Sequence, residues 1–130
     1  MNYIEAQNYI EEKSRLGIIP GLTQVKELLR RLGNPQNACR TLHIAGTNGK
    51  GSIFAFVQEG LLAAGCHVGR YISPTILTYL ERYQLDRRYM AEDEFATLLT
   101  EVAEVIETME ADGFSSPTVF EIETAVAFLF

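Results

Sequence analysis

The chain has 130 residues, of which 47% are hydrophobic and 22% are charged, and it carries a net charge of −6 at pH 7. That length is enough for one domain built around one core. An acidic chain without a basic stripe cannot neutralise the phosphates of a duplex, so the charge argues against a nucleic-acid partner. A small anion held by a local loop remains compatible with it.

Targeting signals and cysteine spacing narrow the class of protein further. The segment from Met1 to Glu5 has neither the basic start nor the apolar core of a signal peptide, and no segment has the run of about 20 apolar residues that crosses a membrane. Cys39 and Cys66 show neither a C-x-x-C spacing nor a metal-ligand cluster. We therefore expect a cytoplasmic protein with reduced thiols and no membrane partner.

Two amphipathic helices are predicted before residue 36. Apolar residues at helical spacing indicate a first helix over residues 2–13, with Asn2 as its N-cap. A second helix follows the turn around Pro20, and Gly33 and then Pro35 end it. The apolar positions are Tyr3, Ala6 and Ile10 in the first helix and Leu22, Val25, Leu28, Leu29 and Leu32 in the second. We expect both helices to be packing elements.

A glycine-rich turn between a strand pattern and a helix pattern is the most informative stretch of the sequence. The run from Thr41 to Ala45 is of strand type, and Ile53, Val57 and Leu61 recur at the spacing of one helical face. Strand, glycine-rich turn and helix form the context that a phosphate-binding loop requires. The residues of this turn are Gly46, Thr47, Asn48, Gly49, Lys50, Gly51 and Ser52.

The composition of this turn suits a phosphate chain. Glycines let backbone N–H groups turn toward an anion, and a helix start adds unpaired amide donors and the positive end of the helix dipole. Lys50 would place a positive charge near the terminal phosphates, and Ser52 would offer a hydroxyl to a phosphate or to a magnesium ion. In the common pattern the hydroxyl follows the lysine directly, whereas Gly51 intervenes here, which disfavours a phosphotransfer kinase or a GTPase. The alternative is a glycine-rich turn whose lysine is merely solvated.

A second strand is predicted over residues 67–72, after a helix that Gly65 ends. Strand, helix and strand within about 30 residues form a right-handed βαβ unit, which predicts an open parallel sheet. Ser73 would then lie at the carboxyl edge, where such sheets bind ligands, and its hydroxyl could reach a metal held by a nucleotide. The alternative is a plain Ser-Pro turn. His43 and His67 are interpreted as core or edge residues rather than as catalytic groups.

Residues 75–90 are predicted to be irregular, with a short strand from Tyr83 to Leu85. Tyrosines beside arginines in this stretch could stack on a flat heterocycle or be ordinary loop residues. The clearest helix covers residues 92–110, and its acidic first turn suits the helix dipole. We expect that helix to be scaffold.

The last predicted helix starts at Ser116-Pro117, where the missing N–H of proline costs nothing. Residues 119–130 are apolar nearly all round, so this helix is typical of the middle of a larger protein. Glu121 stands out because a carboxylate in an apolar helix is costly unless it is paired or holds a metal. It is interpreted as a metal ligand or, alternatively, as a surface glutamate.

Across nearly its whole length the chain resembles the start of a folylpolyglutamate synthase, or of a bifunctional dihydrofolate synthase/folylpolyglutamate synthase, in the Mur ligase superfamily. That family has the same short loop with glycine between the lysine and the hydroxyl. Two departures are Thr75, where members often have His, and Asp86-Arg87, where they often have Asn-Gly. The shared motifs are Gly21-Leu22, Leu32 to Gln36, His43 to Ser52, Tyr71-Ile72-Ser73-Pro74, Glu81-Arg82, Phe120-Glu121 and Thr124-Ala125.

The resemblance implies an α/β fold, part of a P-loop NTPase-like open parallel sheet with flanking helices. It identifies the chain as an incomplete Mur ligase central ATPase domain. Residues 1–130 would be the N-terminal part of the ATP-binding domain, with residues 1–36 as a helical lead-in and the C-terminal glutamate-binding domain absent. ATP and Mg²⁺ are the implied cofactors.

The resemblance also implies roles for individual residues. The loop from Gly46 to Ser52 would contact ATP, with Lys50 as its catalytic residue. Ser73 and Glu121, together with Ser52, would ligate magnesium. The segments that are similar to parts of the pterin pocket are Pro20, Gly21, Leu22 and Thr23, and Ala91, Glu92 and Asp93.

The implied reaction is the ATP-dependent addition of L-glutamate to dihydropteroate or to the glutamate tail of a folate, through an acyl phosphate. The implied partners are small molecules, and the full-length parent would be a monomer. The isolated fragment would be inactive, and the unshielded face of residues 119–130 would cause self-association or disorder. Two alternatives are a different Mur-superfamily amide ligase and a non-catalytic nucleotide-binding module.

Overall fold

All the predicted helices are present in the computed structural model, which describes residues 1–130. The helices are α1 (Tyr3–Ser14), α2 (Thr23–Arg31), α3 (Lys50–Ala63), α4 (Glu92–Ala111) and α5 (Val119–Leu129). The strands are β1 (Gly69–Tyr71), β2 (Tyr83–Leu85) and β3 (Arg88–Tyr89). The mixed α/β composition is thus confirmed, and so are the short strands at residues 69–71 and 83–85.

Local capping explains why the helices begin where they do. The Asn2 side chain accepts the Glu5 N–H at 2.9 Å, and the Glu5 carboxylate accepts the Asn2 N–H at 2.8 Å. At the start of α4 the Glu94 carboxylate accepts the Ala91 N–H at 2.8 Å. Each contact satisfies a backbone donor that has no partner inside the helix, so these starts could be predicted from the sequence.

The core is built around α4, which packs against α1, α2 and α5. Phe95 on α4 is fully buried, and its ring contacts Tyr3, Tyr79 and Tyr83 at centroid distances of 6.1, 5.3 and 5.9 Å. The lead-in helices α1 and α2 therefore share one core with α4 and α5.

The expectation of parallel pairing within these residues is wrong. Thr41 to Ala45 form no strand, and Leu42 is 63% exposed. Instead β1 pairs antiparallel with β2, and β2 pairs antiparallel with β3. A parallel sheet is found where helices cover both of its faces. Here the helices α1, α2 and α5 pack against α4 instead of forming two such layers. Antiparallel neighbours need only a short connection, which residues 72–82 provide.

The expected unshielded face of residues 119–130 is present only in part, because Phe120 is 61% exposed while other residues of this helix are covered. Ile122, Ala125 and Val126 are fully buried, because α1, α2 and α4 pack on α5. The exposed apolar helix is α3, where Phe56 is 80% exposed and Gln58 is the one buried residue.

The remaining sequence expectations concern membranes and cysteines. None of the helices combines the length and the apolar content that a membrane span requires. Cys39 and Cys66 are both free and exposed, and their reduced state stays a prediction.

Candidate functional site

The glycine-rich loop leads directly into α3. Gly49 is the N-cap of this helix and has φ of 76°, in the left-handed region that a residue without a Cβ reaches at little cost. A Cβ added at Gly49 or at Gly51 would meet no atom within 4 Å. The requirement for glycine at position 49 is therefore conformational, and the space around both glycines is open to a ligand.

Free backbone donors gather where the loop meets the helix. The first N–H of this region with a backbone acceptor belongs to Ile53, which donates to Gly49 at 3.0 Å. The N–H groups of Lys50, Gly51 and Ser52 have no acceptor, as is general for the first turn of a helix. Lys50 folds back so that Nζ donates to the carbonyl of Gly46. Three amides and one ammonium group can therefore receive an anion here.

The predicted metal ligands supply oxygen atoms of the kind that magnesium prefers. Glu121 is the third residue of α5, and its Oε2 accepts from the N–H and the hydroxyl of Thr118 at 2.8 and 2.9 Å. Oε1 of Glu121 has no partner. Ser52 and Ser73 are exposed hydroxyls, in the first turn of α3 and two residues after the end of β1.

The chemistry of this donor set fits magnesium better than a metal held by protein alone. No group of three or more His, Cys, Asp or Glu could hold an ion in this structure. Magnesium usually keeps several waters and binds through one or two carboxylates together with substrate phosphates. The metal roles of Ser52, Ser73 and Glu121 therefore stay predictions that depend on a bound nucleotide.

A cavity of about 680 Å³ lies between the α1–α2 connection and the start of α5. Glu121 lines it, and so do Gly21 and Leu22 of the predicted substrate segment. The residues of its wall are Ser14, Gly17, Ile18, Ile19, Gly21, Leu22, Val25, Thr118, Val119, Phe120, Glu121, Glu123 and Thr124. The wall is largely apolar, with carboxylates along one helix.

The structure brings only some of the predicted site residues together. Asp93, from the segment Ala91 to Asp93, lines a separate cavity of about 340 Å³ beside Leu129 and Phe130. The loop from Gly46 to Ser52 lines neither cavity. No hydrogen bond joins that loop to Ser73 or Glu121. The two substrate segments therefore do not share one pocket in this chain.

One buried cluster was missed by sequence analysis. Glu123 is 5% exposed, and its carboxylate accepts from the Tyr79 hydroxyl at 2.8 Å, from the Tyr71 hydroxyl at 3.4 Å and from Arg82 in an ion pair. Burial, and then the charge of Glu123, raise the pKa of Tyr79 and of Tyr71. Both phenols therefore stay protonated and act as donors. The available signal was a second carboxylate within the apolar helix α5.

The cluster also bears on whether the tyrosines of residues 75–90 could stack on a flat heterocycle. The Arg82 guanidinium lies 4.1 Å from the centroid of the Tyr79 ring, and Tyr83 is 1% exposed. Tyr83 is thus part of the core and has no free face for a flat heterocycle, whereas Tyr79 is half-buried and has Arg82 against its ring. Tyr89 is 51% exposed.

Comparison with known proteins shows which proteins this chain resembles in sequence and in structure. No protein-family model matches the chain. A dihydrofolate synthase/folylpolyglutamate synthase of Bacillus subtilis is 38% identical over 128 residues, which make up 98% of this chain and 30% of the relative. The structure of folylpolyglutamate synthetase from Lactobacillus casei matches with a TM-score of 0.89 at 33% identity, over 98% of this chain and 32% of that one. A complex of folylpolyglutamate synthase with AMPPCP and folate matches with the same TM-score at 34% identity, over 98% and 32%.

These matches confirm the fold class as a partial α/β domain of the Mur ligase type. The chain spans about a third of the length of the relatives that it matches. Over nearly its whole length, this chain is homologous to part of the folylpolyglutamate and dihydrofolate synthases.

Proposed function

We propose that this chain supplies the ATP phosphate loop and part of the folate site of an ATP-dependent carboxylate–amine ligase. The full-length protein would add L-glutamate to dihydropteroate, to the glutamate tail of a folate, or to both. The observation that carries the proposal is the set of unpaired amides beside Lys50 at the start of α3. The similarity to a synthase that was solved with AMPPCP and folate supports the choice of ligands.

In the proposed reaction a substrate carboxylate oxygen attacks the γ-phosphorus of ATP, and ADP leaves. The amine of L-glutamate then attacks the acyl phosphate, loses a proton and displaces phosphate, which forms the amide. The amides of Lys50, Gly51 and Ser52 would hold the phosphate oxygens, and the Lys50 ammonium would move from the Gly46 carbonyl to the phosphates. Catalysis of this kind is mostly positioning and charge stabilisation.

Ser52, Ser73 and Glu121 would hold magnesium, which supplies positive charge that offsets the charge of the phosphates. Glu121 has one carboxylate oxygen free for this role, while Thr118 fixes the other. The two hydroxyls are exposed and have no competing partner. These residues fit an ion whose remaining ligands come from nucleotide and water.

The substrate part of the proposal rests on the cavity beside α5. Its apolar wall includes Leu22 and Phe120, and the Phe120 ring is 61% exposed and 6.2 Å from the Tyr71 ring. A flat heterocycle could pack on such a wall. Pro20 and Thr23 are the sequence neighbours of Gly21 and Leu22, which line this cavity. The proposed role of Ala91, Glu92 and Asp93 is supported by the resemblance alone.

We also propose that the chain is the N-terminal part of the ATP-binding domain, with residues 1–36 as its helical lead-in. The glutamate-binding domain would lie outside this chain, which is supported by the share of the relatives that the chain spans. The free cysteines favour a reducing compartment and hence the cytoplasm.

The test is the ATP-dependent joining of labelled glutamate to dihydropteroate and to tetrahydrofolate by the full-length protein that contains this sequence. Lys50→Ala is expected to lower the rate about 100-fold, since it removes the one cation of the loop. Lys26→Ala is the matched control, because Lys26 is an exposed lysine on α2. A Lys50→Ala enzyme with an unchanged rate would contradict the role of Lys50. Activity on other carboxylates but on neither folate would favour a different amide ligase.

A further inference from the structure

The segment between β1 and β2 is held as a closed loop, called here the 73–81 loop. The Ile72 N–H donates to the Arg82 carbonyl at 3.0 Å and closes its base. At its tip the Glu81 carboxylate accepts the N–H groups of Ile76, Leu77 and Thr78 at 3.1, 3.1 and 3.0 Å. These contacts are internal, so they shape the loop without fixing its place on the rest of the molecule.

Glu123 provides the link from this loop to α5. Its carboxylate pairs with Arg82 and accepts from the Tyr79 hydroxyl, and both partners belong to the short helical turn at Tyr79–Arg82. The Arg82 and Glu123 side chains are only 13% and 7% exposed. Arg82 Nε also donates to the Tyr79 carbonyl at 3.1 Å. The position of the guanidinium is thus set by several directional contacts.

A buried ion pair makes only a small net contribution to the stability of a fold. Well-packed apolar residues in its place are often neutral or stabilising, because desolvation of the charges offsets their attraction. Its contacts are directional, however, whereas apolar packing tolerates small shifts. The charges at this position therefore indicate a requirement for defined geometry.

Two predicted metal ligands lie on the two elements that this cluster joins. Ser73 begins the 73–81 loop, next to Ile72. Glu121 lies two residues before Glu123 on α5, with its carboxylate fixed by Thr118. We propose that Glu123, through Arg82 and Tyr79, is a positioning residue that fixes the 73–81 loop on α5 and so sets the separation of Ser73 and Glu121. The metal part of this inference rests on the proposed function.

Hydrogen exchange of this chain tests the positioning role without any ligand. Glu123→Gln is expected to speed exchange of the Ile72 amide at the base of the loop about tenfold, because this amide donates to the carbonyl of Arg82, which loses its anchor. Tyr79→Phe keeps the ring in the core, removes one hydrogen bond, and is expected to give a smaller increase. Glu110→Gln is the matched control, since it removes the charge of Glu110 from the ion pair that joins Lys13 on α1 to Glu110 on α4. Unchanged exchange of the Ile72 amide in both Glu123→Gln and Tyr79→Phe would overturn the inference.

Magnesium dependence in the full-length protein tests the consequence for the site. Glu123→Gln and Tyr79→Phe are expected to raise the Mg²⁺ concentration for half-maximal activity about tenfold, as changes behind metal ligands commonly do. KM for ATP at saturating Mg²⁺ should stay within about twofold of the unmodified protein, since the loop at Lys50 is untouched. A merely structural role would lower the melting temperature and leave the Mg²⁺ dependence unchanged, which would overturn the metal part. Absence of glutamate joining by the unmodified protein would instead overturn the proposed function, and the exchange measurement would still decide whether Glu123 holds the loop.

Discussion

At the scale of single residues, the turn between β2 and β3 contains two left-handed residues that are not glycine. Asp86 has φ of 47° and Arg87 has φ of 68°, a conformation that costs energy for side chains with a Cβ. The Asp86 carboxylate accepts the Val68 N–H at 2.7 Å and contacts His67 Nδ1 at 2.7 Å, and Arg87 pairs with Glu59 on α3. Side-chain contacts thus compensate for a turn that Asn-Gly would form more easily.

The His67–Asp86 contact predicts a defined pH dependence of stability. The hydrogen bond to Asp86 raises the pKa of His67 above 6.5, and the hydrogen bond to His67 lowers the pKa of Asp86 below 3.8. The His67 contribution is complete below pH 6.5 and is lost as pH rises through the raised pKa. The Asp86 contribution is present above pH 3.8 and is lost as pH falls through the lowered pKa. The pair therefore stabilises the fold most between pH 3.8 and pH 6.5.

Asp86→Asn tests this window, because Asn keeps an acceptor for Val68 and tolerates the left-handed conformation. The free energy of unfolding in urea is measured for both proteins at about pH 5 and at about pH 8. The difference between them should be larger at the lower pH. An equal difference at both pH values would show that His67 is not charged by this contact.

Glu121 and Glu123 show how far sequence reasoning reaches at this scale. Both are carboxylates in an apolar helix, and on that ground the sequence analysis singled out Glu121 alone. The structure buries Glu123 instead, against donors from Tyr71, Tyr79 and Arg82. Those donors lie about 40 to 50 positions earlier in the chain, so the pairing depends on tertiary packing that no local pattern encodes.

At the scale of elements, the positions of the helices could be predicted from the sequence, whereas the pairing of the strands could not. Helix starts depend on local contacts, such as Asn2 with Glu5 and Thr118 with Glu121, and helix faces depend on spacing alone. A strand depends on a neighbour that the sequence does not name. The run from Thr41 to Ala45 has the composition of a strand but finds no partner among these residues. The glycine-rich turn and its helix were predicted at the correct place for the same local reason.

The helices α3 and α4 are held in different ways, which predicts different costs for the same substitution. Leu99 on α4 is fully buried, whereas Leu61 on α3 is 40% exposed. Leu99→Ala should lower the free energy of unfolding by about 2–5 kcal/mol, because it leaves a cavity in the core. Leu61→Ala should lower it by about 1 kcal/mol or less, since water can fill the space. Urea unfolding of the two variants checks both values. A similar loss for both would mean that α3 is as tightly packed as α4.

At the scale of the whole molecule, the apolar surface is distributed unevenly. Residues of α1, α2, α4 and α5 form one core, while α3 contacts the sheet through polar side chains, with Gln58 Nε2 donating to Gln84 at 2.6 Å and Arg70 donating to Gln58 at 3.3 Å. The helix α3 is therefore the least covered helix of the chain. The proposed ligase spans about three times this length, and in this chain alone the apolar side of α3 faces water.

Exposure of α3 predicts where this chain self-associates. Ile53 and Phe56 are 50% and 80% exposed, and an aromatic ring of this kind buries about 150–250 Å² when it is covered. We expect the mass in sedimentation equilibrium to rise with protein concentration, and Phe56→Glu to reduce that rise because it places a charge on the contact surface. Phe120→Glu is the matched control, since Phe120 is 61% exposed on α5. If Phe120→Glu dissociated the assemblies and Phe56→Glu did not, α5 rather than α3 would be the contact surface.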